Sequence, residues 1–261
     1  PNFLNENGRE PDPTLCPGGY NFENPDFAMM LRYGRYYIST NRGKKWDGAF
    51  EIPEFEGRRN LTRTDVIVNG KHDLFAFMAS AKDNGKEGWP FVARTTDGGK
   101  SWNFVSRIGP QPDKGYAIMP TTVRLSDRHY LSMIRRKGFK DEKAHYWIEA
   151  FESLDNCQSW QFLNKPTTTL SGNPGHMIEL EDGRLVLTYG YRRPPYGIRA
   201  IVSDDQGKSW GDEIILRDDG GNWDLGYPRT VQRSDGKLVT VYYFNEHEDK
   251  ERYIGVTIWT P

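Results

Sequence analysis

Cysteine is scarce in this chain, with only Cys16 and Cys157 among 261 residues. Two cysteines cannot staple a disulfide framework, and neither has neighbours at metal-ligand spacing, so a disulfide-built or zinc-built fold is excluded. No apolar run reaches the ~18 residues that a membrane-spanning helix needs. Charge of one sign is also missing: 35 Lys and Arg face 36 Asp and Glu, a net charge of −1. No basic field therefore recommends nucleic acid as a partner. The opening residues, PNFLNENGREPDP, lack the charged-then-apolar pattern of a targeting peptide. The chain starts at Pro1 rather than Met, as expected of a processed chain or a fragment. The cellular compartment stays open.

Turn formers and aromatics are what the chain does have. Gly 27, Pro 16 and 13% aromatic residues suit many short strands joined by tight turns. The length buries a sizeable core and demands no more than one domain, expected to span residues 1–261.

One pattern recurs four times: STNRGKKW at 39–46, TTDGGKSW at 95–102, SLDNCQSW at 153–160 and SDDQGKSW at 203–210. Successive copies start 56, 58 and 50 residues apart, a period that marks propellers and arrays. In each copy a short Asp or Asn side chain can bond nearby backbone N–H groups. The Gly is free to adopt positive φ, and the closing Trp is a large apolar anchor. Cys157 stands where a Gly is expected and reads as a turn or edge residue. The repeat predicts a hairpin between the third and fourth strands of a sheet. Upstream lie paired strands of one design, such as MIELEDGRLVLTYGYR (177–192) and RTVQRSDGKLVTVYYF (229–244). The last pair leads into RYIGVTIW (252–259), with no further hairpin. The fold class predicted is all-β, a β-propeller of four-stranded antiparallel blades. About five blades are visible, and the N-terminal region is expected to supply the missing last strand.

These turns resemble the Asp-box, or BNR, repeats of the sialidase superfamily. The resemblance implies a six-bladed relative with an N-terminal blade absent or incomplete here; a genuine five-bladed ring is the alternative. The turn carboxylates Asp97, Asp155 and Asp205 are expected to be structural.

Candidate chemistry falls on the loops at the other end of the sheets. Those loops gather arginines, whose planar forks suit a carboxylate, and aromatic rings that suit a sugar face. Arg135, in IRRKGFKDEK, is one such candidate substrate ligand. DLGYPRTVQRSDGKLVTVYYF (224–244) resembles the sialidase segment with the nucleophilic tyrosine, which matches Tyr227. LVLTYGYRRPPYGIRAIVSDDQGKSW (185–210) resembles the stretch with a carboxylate-clamping Arg, which matches Arg192, with Arg193 as the register alternative. Sialidases place a Glu beside the tyrosine; the corresponding GNPGHMIELEDG has His176 instead. A phenol of pKa about 10 needs a neighbouring base, so His176 is expected to be that base or a substrate ligand. Arg63 is a second clamp candidate, Asp65 is the acid/base candidate with Asp26 as the alternative, and Asp224 is placed to orient the site. The resemblance implies an exo-glycosidase acting on an acidic sugar, with no metal and no organic cofactor. A non-catalytic glycan-binding propeller and a uronate-specific polysaccharide lyase are the other readings.

Overall fold

A computed structural model describes residue 3 and residues 8–61, 65–167, 173–247 and 251–261. Among these every regular element is a strand, and the chain has the all-β, β-propeller fold class. The chain divides into two compact units, residues 1–108 and 109–261. The first holds a three-stranded sheet, β1 (Ala28–Arg32), β2 (Arg35–Ser39) and β3 (Asp47–Glu51). Its second sheet has four strands: β4 (Asp65–Gly70), β5 (Asp73–Ala81), β6 (Glu87–Thr95) and β7 (Asn103–Arg107). The second unit holds three sheets. They are β8 (Tyr116–Arg124), β9 (Tyr130–Lys140), β10 (Lys143–Ser153) and β11 (Gln161–Asn164); then β12 (Gly175–Glu179), β13 (Leu185–Tyr191), β14 (Tyr196–Ser203) and β15 (Ile214–Gly220); then β16 (Gly226–Gln232), β17 (Leu238–Phe244) and β18 (Tyr253–Trp259). Every pairing is antiparallel between sequence neighbours, as a blade requires.

The middle strands are apolar on both faces because both faces are covered. Leu74, Phe75, Ala76, Phe77 and Met78 of β5 are all fully buried. In the first unit Tyr36, Ile38 and Phe50 pack on Leu74, Ala76, Met78 and Phe91 of the next sheet, and Trp102 closes the cluster. In the second unit Leu131, Met133, Ile148 and Ala150 pack on Met177, Leu185, Leu187 and Ile201, with Trp210 against them. Burying each such side chain contributes about 1.5–3 kcal/mol before entropy is counted. A threonine hydroxyl chain crosses from one sheet of this unit to the next: Thr188 bonds Thr230 of the neighbouring sheet at 2.9 Å, and Thr230 bonds Thr240 on its paired strand at 3.0 Å.

Two details differ from the sequence reading. The first repeat turn joins β2 to β3 in a sheet that has three strands, not four, among the described residues. The N-terminal region does not complete the last sheet among the described residues. Thr14 instead bridges Phe50 of β3, its N–H donating to the Ala49 carbonyl at 2.9 Å. The sheet of β16–β18 has three strands among the described residues.

The repeat turns share one hydrogen-bond scheme. At the fourth, Ser203 Oγ donates to Asp205 Oδ1 (2.8 Å), and Ser209 donates to it through its N–H (2.8 Å) and to Oδ2 through its hydroxyl (2.6 Å). The Gly207 N–H closes the loop on Ser203 Oγ at 2.8 Å. Asp97 and Asp155 repeat this, and Asn41 keeps the part an amide can play. Cys157 occupies the glycine position at φ 64° and is fully buried, so it is a turn residue and not an edge one. The bond from the Ser209 hydroxyl, followed by that from its N–H, holds the Asp205 carboxyl below its usual value. A depressed carboxylate stabilises the fold above its unfolded pKa of about 3.9, and that contribution is lost as pH falls through the folded value. Asp205→Ala should lower stability by about 1–2 kcal/mol at pH 7. The gap from wild type, read from denaturant midpoints, should shrink as pH falls below 4; a gap that widens with acid would contradict this assignment.

Candidate functional site

Two glycines let neighbouring sheets of the second unit touch backbone to backbone. A Cβ on Gly190, in β13, would lie 3.0 Å from the Gly226 Cα, and one on Gly226 would lie 3.2 Å from the Gly190 Cα. Gly226 also sits at φ 118°, a conformation open essentially to glycine alone. This approach sets Arg192, two residues past Gly190, against the segment leading into β16. Tyr227 follows Gly226 at φ 50°, inside a register break between Gly226 and Arg229. A bulge of this kind re-aims a side chain. Met119 in β8 has the same geometry, with φ 55° and a break between Ile118 and Thr121.

The lead-in to β16 is pinned by a fully buried amide. Asn245 Nδ2 donates to the Asp224 carbonyl at 2.7 Å and to Asn222 Oδ1 at 3.2 Å, while its Oδ1 accepts the Asn222 N–H at 2.9 Å. On this frame the side chains converge. Arg192 Nε donates to the Leu225 carbonyl and Nη2 to the Tyr243 hydroxyl, both at 2.9 Å. The guanidinium carbon lies 5.7 Å from the ring centres of both Trp223 and Tyr227. The Tyr227 and Tyr243 rings are 5.7 Å apart. The Tyr243 hydroxyl donates to Asp224 Oδ1 at 2.9 Å, and Arg252 Nε donates to Asp224 Oδ2 at 2.9 Å. Burial pushes the Tyr243 phenol up to about 12; the Arg192 charge opposes this and the bond to Asp224 adds to it. Tyr243 is thus a neutral donor at physiological pH. Two arginines thus stand about Asp224, one directly and one through Tyr243, beside a Trp223 residue that is 60% exposed.

Of the residues the sequence singled out, Arg192, Asp224 and Tyr227 come together here. His176 lies on β12, and its Nδ1 accepts the N–H of Thr230 at 3.0 Å, three residues along β16 from Tyr227. An Nδ1 that accepts a backbone N–H leaves the neutral ring's proton on Nε2. The ring then presents a donor, and taking a second proton would break the Thr230 bond. Arg193 is exposed in the loop after β13. That loop is propped by buried Arg199, stacked 4.8 Å from the Tyr191 ring and donating to the Pro195 carbonyl at 3.3 Å. Arg135 stands over Tyr116 at 5.3 Å, with Nη1 3.6 Å from the Met119 sulfur. Asp65 opens β4 in the first unit, and Asp26 is ion-paired with Arg42 at 2.6 Å. Arg63 lies outside the described residues. Tyr243 and Arg252 were missed. The one visible signal was the pair of tyrosines before the last residue of β17, of which Tyr242 is core and Tyr243, by strand alternation, faces the other way.

A search of curated proteins gives no match. Among solved structures, a protein of unknown function from Dyadobacter fermentans is 23% identical, with TM-score 0.74, covering 88% of this chain and 66% of its own. An endo-arabinase from Bacteroides thetaiotaomicron is 14% identical, with TM-score 0.58, covering 94% and 92%. An α-L-arabinanase from Penicillium chrysogenum, complexed with arabinobiose, is 16% identical, with TM-score 0.54, covering 75% and 61%. The chain thus spans just under two thirds of the first and third of these. At such identities the likeness is one of fold. The profile of the BNR repeat-like domain matches residues 29–240, and the chain belongs to that family.

Proposed function

We propose that the chain is a sialidase-like exo-glycoside hydrolase that takes a carboxylate-bearing sugar at the cluster on β13, β16 and β17. The observation that carries this is the gathering of Arg192, Arg252 and Asp224, with the Arg192 guanidinium carbon over both the Trp223 and the Tyr227 ring. A fixed planar fork suits a carboxylate, and the exposed indole offers a sugar ring an apolar face. Glycan hydrolysis is the activity named for the Bacteroides and Penicillium proteins of similar fold; the preference for an acidic sugar comes from this chain's own arginines. Tyr227, re-aimed by its bulge, is the nucleophile: its oxygen bonds the anomeric carbon as the glycosidic oxygen departs, and its phenolic proton passes through water to that departing oxygen. Tyr243, hydrogen-bonded to Asp224, holds the Arg192 fork in register. His176 donates to a substrate oxygen through Nε2. Asp65 and Arg63 take no part in this assignment.

A second reading, glycan binding without turnover, is favoured by the bond that commits His176 Nδ1 to Thr230, since that nitrogen then does not serve as a base for the Tyr227 phenol. One panel separates the two: fluorogenic α-sialoside, β-glucuronide and α-L-arabinofuranoside, with binding followed in parallel. Turnover of an acidic substrate, lost in Tyr227→Phe, supports the hydrolase. Binding of acidic sugars with no turnover supports the module. Turnover of the arabinofuranoside alone defeats both.

A further inference from the structure

The hairpin of β9 and β10 outreaches its neighbours in the second unit. Both of its strands run 11 residues, against 7 and 8 for β13 and β14 and 7 each for β17 and β18. Gly175, which opens β12, marks where the neighbouring sheet begins: a Cβ there would lie 3.6 Å from Ile148 Cδ1. Ile148 pairs with Arg135, and beyond that pair the ladder continues to Lys143 and Lys140, a further rise of about 16 Å at about 3.3 Å per residue. Gly175 itself pairs with Tyr189, three residues before Arg192. The hairpin therefore rises at the same end of the sheets as the Arg192 cluster.

The two faces of the projecting part are built differently. On one, Trp147 is taken up by its neighbours. Its Nε1 donates to Glu149 Oε1 at 2.7 Å, and its ring centre lies 5.7 Å from the Arg136 guanidinium and 5.1 Å from Lys165 Nζ. Glu149 pairs with Arg136 at 3.1 Å, and a Cβ on Gly138 would lie 2.7 Å from the indole. These contacts stiffen the hairpin. On the other face Tyr116, Lys137 and Tyr146 stand side by side in one row across β8, β9 and β10, with Phe139 and Ala144 in the next row outward. None of these five is acidic. Lys137 Nζ lies over two rings, 5.3 Å from the centre of Phe139 and 5.6 Å from that of Tyr146. The cation is thereby held in place, and Phe139 is 47% exposed.

Rings and a cation on one rigid face select their partner. A sugar can lay its apolar face on a ring while its carboxylate meets the ammonium. An apolar partner would have to strip water from Lys137, and a simple anion would gain nothing from Phe139 and Tyr146. We propose that this face of the hairpin is a glycan-binding platform that holds an acidic oligosaccharide, with Lys137 on a carboxylate and Phe139 and Tyr146 under the sugar rings. That the Arg192 cluster takes the terminal sugar of the same chain rests on the proposed function; binding by the hairpin does not.

The test is titration calorimetry on the full chain at low salt with tetragalacturonate, galacturonate and the neutral maltotetraose. Tetragalacturonate should bind at least tenfold more tightly than either of the others. Lys137→Met and the exposed change Phe139→Ala should each weaken it about tenfold and leave galacturonate unchanged, and both variants should unfold as cooperatively as wild type. Salt at 0.5 M should weaken tetragalacturonate more in wild type than in Lys137→Met, as a screened charge contact requires. Arg192→Ala separates the two sites: galacturonate binding should vanish while the remaining affinity for tetragalacturonate still depends on Lys137. Hairpin-dependent binding of tetragalacturonate by a wild-type chain that ignores galacturonate would uphold the platform and count against the Arg192 assignment. No binding of tetragalacturonate, equal affinity for maltotetraose, or unchanged affinity in Lys137→Met or Phe139→Ala would each overturn the proposal.

Discussion

Replacing Arg192 with Ala is expected to reduce kcat/KM on an acidic sugar by about 10²–10³-fold, or about 3–4 kcal/mol of transition-state stabilisation. The size follows from how the side chain is held. Nε is fixed by the Leu225 carbonyl and Nη2 by the Tyr243 hydroxyl, with the guanidinium carbon 5.7 Å from the ring centres of Trp223 and Tyr227. Little rotamer freedom remains to be lost when an anion arrives, so most of the interaction appears as binding. Arg192→Lys should recover only a minor part, because an ammonium keeps the charge but cannot reproduce the fork. An Arg192→Lys enzyme as active as wild type would reduce this residue to a diffuse source of charge.

A large loss of stability is also expected for Gly226→Ala. The backbone there has φ 118°, and the new Cβ would meet the Gly190 Cα at 3.2 Å, where neither main chain gives way readily. The conformational cost and the separation of β13 from β16 together should reach about 2–3 kcal/mol. Gly236→Ala is the matched control. It also has positive φ, 80°, but a Cβ there meets nothing within 4 Å, so it should lose only about 1–2 kcal/mol. Activity separates the pair more sharply, since Gly226 sets both Tyr227 and the approach of Arg192, whereas Gly236 lies in a remote turn. Denaturant unfolding and turnover of the two variants measure this, and equal losses would show that the glycine contact does not shape the site.

What could be read from the sequence was local. The repeat turns are specified by residues within eight positions of one another, so their hydroxyl, carboxylate and glycine chemistry is written contiguously. The strand pairs between them carry their own turn signals. The sheet count and the all-β fold followed from that. The site is assembled differently. Arg192 reaches Tyr243 across 51 residues, and Asp224 reaches Arg252 across 28. Only strand pairing and the Gly190–Gly226 approach bring them together, and neither is marked by a local pattern. The tautomer of His176 was illegible for the same reason: it is set by the N–H of Thr230, 54 residues away. Thr14 joined β3 because an edge strand accepts any nearby extended backbone, a preference with no residue signature.

The most direct test is a crystal structure of the chain with an acidic monosaccharide bound. The sugar should lie over Trp223 with its carboxylate at hydrogen-bond distance, about 3 Å, from the Arg192 guanidinium. A carboxylate seated away from both Arg192 and Arg252, or a sugar held only through its hydroxyls, would contradict the assignment.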